Sequence, residues 1–326
     1  MSPTELNIAV IRGDGIGNDV ITSALAIVEA AEKRVGNLGL HLTELSAGAA
    51  YYRETGVDIA PGAEEAAGKS DAIFLGAIGL PDIRHEDGTE ISPHLRLREL
   101  FQLYAGVRPA RAYPNHPRQL QQPDAEKIDL VIIRESTEGL FYTAAVHNRN
   151  PVANDDEVQE ILRITRPTTE KLHNYAFKLA AKRKNRGGKG LVTCVDKANV
   201  FRSMALFRKI FDERRVSFPD IEASYSYVDA QALNLIKKPW DYDVLVMENM
   251  FGDILSDLVG GLVGGMGMAA CGEIGDFHAL FQPAHGSAPD IASQDKANPL
   301  ATILSAAMML DYLSDRSGRT DLADAT

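Results

Sequence analysis

The residues from Tyr242 to Asp257 constrain the fold more than any other stretch of the 326-residue chain. Tyr242-Asp243-Val244-Leu245-Val246 is a short apolar run of the kind a buried strand makes. A turn is expected at Gly252, and helical periodicity continues through Leu258 and Val259. A strand that gives way at once to a helix belongs to a layered α/β protein, where ligands lie beyond the strand ends. Asp253 and Asp257 stand there four residues apart, so a helix puts both on one face. Side by side they repel by about 0.3 kcal/mol, which a hard divalent cation such as Mg2+ would offset. The helix dipole alone also accounts for an isolated pair of this kind.

The rest of the chain repeats the pattern. Leu6 to Ile11 reads as a strand, then a glycine turn, then a helix with Val20, Ala24, Ile27, Val28 and Ala31 on one face. The turn, Gly13-Asp14-Gly15-Ile16-Gly17, has the spacing Gly-x-Gly-x-Gly and not the Gly-x-Gly-x-x-Gly of a dinucleotide fold. Leu40 to Leu45, Asp71 to Gly76, Ala105 to Ala110, Ile128 to Arg134, Leu140 to Val146, Lys189 to Val195 and Ala223 to Val228 read as further strands. Helices are expected at Pro61 to Ser70, Leu95 to Phe101, Thr168 to Arg186, Val200 to Arg214 and Ala301 to Leu313. Strands alternating with helices predict a parallel sheet covered on both faces. The polar residues from Gly79 to Pro93 form a loop suited to a substrate lid, and those around Asn148 to Glu157 close a hairpin-like arm.

The chemistry sits at the ends of these elements. Arg98, Arg108 and Arg134 lie on or at the ends of a helix and two strands, where an unpaired arginine is costly to bury. If they converge they make a carboxylate clamp, because guanidinium binds carboxylate bidentately; singly, each reads as a surface ion pair. Lys197 stands where a strand gives way to a helix, a place for a general base, although a lone motif of this kind more often marks a solvated turn lysine. Asp229 supplies a third carboxylate at a strand end. The net charge of −11 argues against nucleic acid or an anionic membrane as partner. Cys194 and Cys271 lie in apolar stretches without metal-site spacing, which suits the reducing cytoplasm. The absence of a signal-like leader or a spanning run also makes the cytoplasm the expected location.

Several strings, taken in order, resemble the β-decarboxylating dehydrogenases, the family of isopropylmalate, isocitrate, homoisocitrate and tartrate/D-malate dehydrogenases. They are Gly13-Asp14-Gly15-Ile16-Gly17, Leu103-Tyr104-Ala105-Gly106-Val107-Arg108-Pro109, Arg134-Glu135-Ser136-Thr137-Glu138-Gly139, Asp196-Lys197-Ala198-Asn199, Gly252-Asp253-Ile254-Leu255-Ser256-Asp257 and His285-Gly286-Ser287-Ala288-Pro289-Asp290-Ile291. The resemblance implies a two-domain α/β fold with a non-Rossmann cofactor site. A large cofactor-binding domain would comprise 1–101 and 253–326. A smaller dimerisation domain would comprise 102–252, with an arm near 139–160.

The resemblance also implies roles. Arg98, Arg108 and Arg134 would clamp the substrate carboxylate, with Ser92 and His94 reading the C3 substituent. Asp253 and Asp257, with Asp229 of a second copy, would hold Mg2+ or Mn2+, and Lys197 would be the catalytic lysine. Ile11, Gly13, His285, Gly286, Ser287, Ala288, Asp290, Ile291 and Asn298 would form the cofactor site. An acidic Asp290 suits a free ribose 2′-hydroxyl, which favours NAD over NADP. The implied reaction is the NAD-dependent oxidative decarboxylation of a 3-substituted malate by a homodimer with shared sites.

Two positions depart from the pattern. The family's acid for C3 is a tyrosine seven residues after the first arginine of the Arg134 string, and here that position is Phe141. Tyr142 is adjacent and is the candidate replacement, although on a strand the two would face opposite ways. Gln282 stands where many members carry Glu. The polar Ser92 and His94 do not match an isopropyl pocket and are compatible with a hydroxyl or a carboxylate. A tartrate/D-malate dehydrogenase is therefore the alternative substrate reading, and a non-catalytic regulatory homologue the alternative to an enzyme. A phosphoryl-transfer enzyme finds no P-loop string.

Overall fold

The structure, a computed structural model, describes residues 5–36, 38–115, 119–144 and 150–326. The chain opens with β1 (Leu6–Gly13), α1 (Gly17–Val35), β2 (Leu40–Glu44), α2 (Ala49–Thr55), α3 (Ala63–Lys69), β3 (Ala72–Ala77) and α4 (Pro93–Leu100). Then come β4 (Ala105–Arg111), β5 (Asp129–Glu135), α5 (Phe141–Ala144), α6 (Arg166–Asn185), β6 (Leu191–Asp196), α7 (Arg202–Arg215), β7 (Glu222–Tyr227), α8 (Val228–Lys237) and β8 (Val244–Met247). It ends with α9 (Asn249–Leu262), β9 (Ala270–Ile274), β10 (Ala279–Pro283), α10 (Leu300–Ser317) and α11 (Thr320–Ala325).

Two compact units result, one of residues 1–103 with 266–326, the other of 104–265. The expected boundary at 252/253 would have cut through α9. The helix instead stays with the second unit, because Gly252 lets it press against β5: a Cβ there would lie 2.6 Å from the Arg134 Cβ. Gly252 is thus inside the helix and does not turn the chain. The helix begins at Asn249, after Glu248 accepts a hydrogen bond from the Phe251 N–H at 3.3 Å.

In the first unit the strands run β2-β1-β3-β10-β9, parallel except for β9, which is antiparallel to β10. Ala9, Ile11, Ile73, Leu75 and Leu280 from the strands pack with Ala63, Ala67 and Leu97 from α3 and α4. In the second unit the order is β4-β5-β8-β6-β7, parallel except for β4 on β5. Here Leu130, Ile132, Leu245 and Met247 pack with Leu235 of α8 and Leu255 and Val259 of α9. The all-parallel expectation is therefore corrected at one strand in each unit. β9 and β10 can be antiparallel because a short turn joins them, whereas a parallel neighbour needs a long crossover.

The strand expected over Leu140 to Val146 is also corrected. Its described part is the short helix α5, and residues 145–149 lie outside the described residues. The arm expected near 139–160 carries two antiparallel bridges, Gly139 with Arg163 and Ala153 with Val158. Among the described residues no helix is long and apolar enough to cross a membrane.

Candidate active site

The second unit gathers two of the three arginines around the aspartate pair. Arg134 is buried at the end of β5, and Arg108 is buried on the adjacent β4. Arg134 donates to Asp253 through Nη1 and to Asn249 Oδ1 through Nε at 2.8 Å. Arg108 Nη1 donates to Ser256 Oγ at 2.7 Å and to Asp253 Oδ1 at 3.3 Å, and lies 3.7 Å from Asp257 Oδ1. The arginines are sealed while the acids are open: the Asp253 and Asp257 side chains are 40% and 56% exposed. Partial burial pushes the Asp257 carboxyl above its usual range, with Arg108 lowering it and Asp253 raising it.

The fit to a hard cation can be judged from this donor set. Two carboxylates one helical turn apart offer oxygen ligands on an open face, which suits an ion that keeps water or substrate oxygens as well. Among the described residues no group of three or more His, Cys, Asp or Glu side chains could hold a metal ion. The pair therefore fits as part of a site that takes further ligands from elsewhere.

A second cluster lies at the ends of β6 and β7. These parallel strands pair with Asp196 opposite Tyr227, so Lys197 and Asp229 emerge side by side. Lys197 Nζ donates to Asp229 Oδ1 at 2.5 Å. Lys197 beside it holds the Asp229 carboxyl below the ordinary value.

Phe141 covers the Arg134 guanidinium, 4.7 Å from ring centroid to carbon, whereas Tyr142 covers Arg163 at 4.5 Å. The two aromatics diverge because α5 is helical, with side chains about 100° apart around the axis. The ring of the candidate replacement acid thus lies over Arg163, and Phe141 occupies the place beside Arg134.

The remaining expected residues lie in the first unit. Ser92 precedes α4, and His94 and Arg98 share one face of it four residues apart. Arg98 is buried and paired with the wholly buried Glu273 of β9 at 2.7 Å. It is not in the unit that holds Arg108 and Arg134. Ile11 is a core residue of β1. Gly13 has φ +76°, and a Cβ there would lie 2.0 Å from the Ala77 carbonyl oxygen, so it serves the close approach of β1 and β3.

The loop from His285 to Ile291 runs beside the α1 entry, where the Ile16 N–H donates to the Ser287 carbonyl at 2.8 Å. Ser287 is buried and its hydroxyl donates to the Gly79 carbonyl. Ala288 takes a left-handed conformation at φ +34° before the single turn at Pro289–Ile291, and Asp290 is exposed. His285 Nδ1 lies 2.8 Å from the Gly286 carbonyl, and its Nε2 is buried without a partner. Burial also lowers the His285 pKa. A buried ring nitrogen without a protein partner is a group that a polar ligand would satisfy, so this loop fits a cofactor with polar heterocycles. Asn298 lies two residues before α10, its Oδ1 accepting the Leu300 N–H at 3.1 Å.

Sequence reasoning missed Asn249, Ser256 and Glu273. Ser256 could have been found, because it lies three residues from Asp253 and one from Asp257, on the same helix. Glu273 had a weaker signal, a lone acid in the apolar strand Ala270–Ile274.

An α/β fold with buried arginines against open carboxylates beyond the strand ends places the candidate site where α/β proteins hold ligands. The chain matches the isocitrate/isopropylmalate dehydrogenase family model over residues 7–325 and belongs to that family. It is therefore an oxidoreductase of the oxidatively decarboxylating dehydrogenase type. It is 39% identical over 310 residues to a 3-isopropylmalate dehydrogenase of Moorella thermoacetica, covering 94% of this chain and 85% of that one. It is 39% identical over 318 residues to a homoisocitrate dehydrogenase of Methanocaldococcus jannaschii, covering 95% and 86%. Among solved structures it resembles an isocitrate dehydrogenase of Methylococcus capsulatus, with TM-score 0.82 and 33% identity over 96% of this chain and 87% of that one.

Proposed function

We propose that this chain catalyses the NAD-dependent, Mg2+- or Mn2+-dependent oxidative decarboxylation of a 3-substituted malate. The observation that carries the reading is the set of sealed Arg108 and Arg134 facing open Asp253 and Asp257. Buried guanidinium groups already neutralise the aspartates, and they are positioned to exchange that contact for a substrate carboxylate. Asp253 and Asp257, with Asp229 of a second copy, are the proposed ligands of the cation, which when bound supplies Lewis-acid polarisation of the substrate oxygens.

Within that frame Lys197 takes the proton of the C2 hydroxyl, directly or through water. The loop of His285, Gly286, Ser287, Ala288, Asp290 and Ile291, with Asn298 and the β1 end at Ile11 and Gly13, would hold NAD, which when bound would supply hydride-accepting chemistry. The exposed Asp290 carboxylate favours NAD over a 2′-phosphorylated cofactor. Phe141 has no proton to give, so protonation at C3 falls to water or to Lys197.

A homodimer is part of the proposal. Leu233 and Ile236 on α8 and Ile254 on α9 are exposed apolar side chains on helices that pack together. A second copy would cover them and bring Lys197 and Asp229 to the partner's site. The polar Ser92 and His94 support a tartrate/D-malate reading as the second choice of substrate.

A Mn2+-supplemented screen of NADH formation with D-malate, tartrate, isocitrate, homoisocitrate and 3-isopropylmalate tests the proposal. One member should give turnover, and Lys197→Ala should lower it by about a thousandfold. Silence with every acid would favour the regulatory homologue instead.

A further inference from the structure

We propose that Arg208 and Asp196 form a positioning device for the Lys197–Asp229 pair, an inference that rests on the catalytic reading of Lys197. Asp196 is wholly buried at the last position of β6. Its carboxylate does two things at once. Oδ1 accepts the Ala198 N–H at 2.8 Å, closing a turn with Lys197 at its centre. Both oxygens are also gripped by Arg208 of α7, from Nε at 2.7 Å and Nη2 at 2.8 Å.

The same guanidinium reaches across to the neighbouring strand. Its central carbon lies 5.1 Å from the Tyr225 ring centroid and 5.2 Å from that of Tyr227. Two residues apart on β7, those tyrosines share one face, and Tyr227 is two residues before Asp229. Lys197 Nζ lies 5.8 Å from the same Tyr227 ring. One side chain therefore ties the turn that carries the lysine to the strand end that carries the aspartate.

The choice of groups speaks against a purely structural role. A buried carboxylate is costly, and an apolar residue would hold a strand end as well. What the fork adds is fixed orientation: it sets the Asp196 carboxylate, and thereby the turn, to within a hydrogen-bond length. A displacement of about 1 Å at a reacting group can cost about a hundredfold in rate. Arg208 itself touches neither Asp229 nor the proposed substrate groups, so it acts through Lys197.

The test compares the full-length wild type, Arg208→Ala and Arg208→Lys, each checked for folding by its melting curve. The first readout is the acetylation rate of Lys197 by a water-soluble acetyl ester, measured by peptide mass spectrometry against the exposed lysines of α6. Lys197 is only a quarter exposed and is shielded by its bond to Asp229. Arg208→Ala should raise its relative acetylation about tenfold, and Arg208→Lys, which keeps the charge but not the fork, should fall between. The second readout is turnover with the acid found in the screen: kcat should fall about a hundredfold with KM changed by less than about threefold. Unchanged Lys197 acetylation in a folded Arg208→Ala, or in Arg208→Lys if the alanine variant does not fold, overturns the proposal. If the wild type forms no NADH, the catalytic reading fails, while the acetylation rates still decide whether Arg208 orders the pair.

Discussion

Two arginine–carboxylate clusters differ in one respect that separates structure from proposed chemistry. In the first unit Arg98 and Glu273 are both sealed from solvent. In the second, Arg108 and Arg134 are sealed but Asp253 and Asp257 are open. Separating a pair buried on both sides is costly, because it leaves an uncompensated charge in a low-dielectric interior. A pair open on the acid side can give up that contact to an incoming cation or anion at small cost, because water reaches the carboxylates. The lesson is that burial of both members, and not the presence of an arginine, distinguishes the fixed pair from the exchangeable one.

Four changes sharpen or break this contrast. Asp253→Asn should lower Mn2+-dependent turnover about a thousandfold, equivalent to about 4 kcal/mol, while leaving the protein folded in urea titrations. Glu273→Gln should do the reverse. It leaves the buried Arg98 without its counter-charge and should lower unfolding free energy by about 3 kcal/mol, with the Mn2+ requirement unchanged. If Glu273→Gln is instead neutral to stability, the sealed pair is not the fixed one.

A third change probes burial without an arginine. His173 of α6 is fully buried between Phe207 and Phe211, neither ring nitrogen has a hydrogen-bond partner, and burial drives its pKa down to about 3. The folded state therefore keeps the imidazole neutral, and the unfolded chain takes up a proton below about pH 6.5. Stability from this site is complete above pH 6.5 and is lost as pH falls toward 3, reaching about 2 kcal/mol at pH 5. Urea midpoints at pH 7.5 and pH 5 should differ by less in His173→Phe than in the wild type. The smallest effect belongs to a cluster whose arginine is open: Arg96, with Asp58 and Glu64, should cost no more than about 1 kcal/mol on mutation to alanine.

The strand–helix alternation and the cluster at Asp253 and Asp257 were legible in the sequence because both rest on local spacing. A period of 3.6 places two aspartates on one face whatever surrounds them. The convergence of Arg108 and Arg134 was not legible, since it depends on β4 pairing antiparallel with β5, a long-range register. Glu273 was missed for the same reason: its partner lies on α4, far away in sequence. Glycine breaks helices, so Gly252 suggests a turn in the sequence, but its close packing on Arg134 gives it another cause. The apolar run after Gly139 suggests a strand, but a run that short does not distinguish strand from helix, and its described part is α5. Tyr142 followed from adjacency alone, and the helical α5 turns it to Arg163.

The most direct test of the account is the stoichiometry of the reaction. Chelator-treated protein, given Mn2+, NAD and the acid selected by the screen, should release NADH and CO2 in equal amounts, with neither formed when Mn2+ is withheld. NADH without CO2, or equal turnover in the presence of chelator, would contradict it.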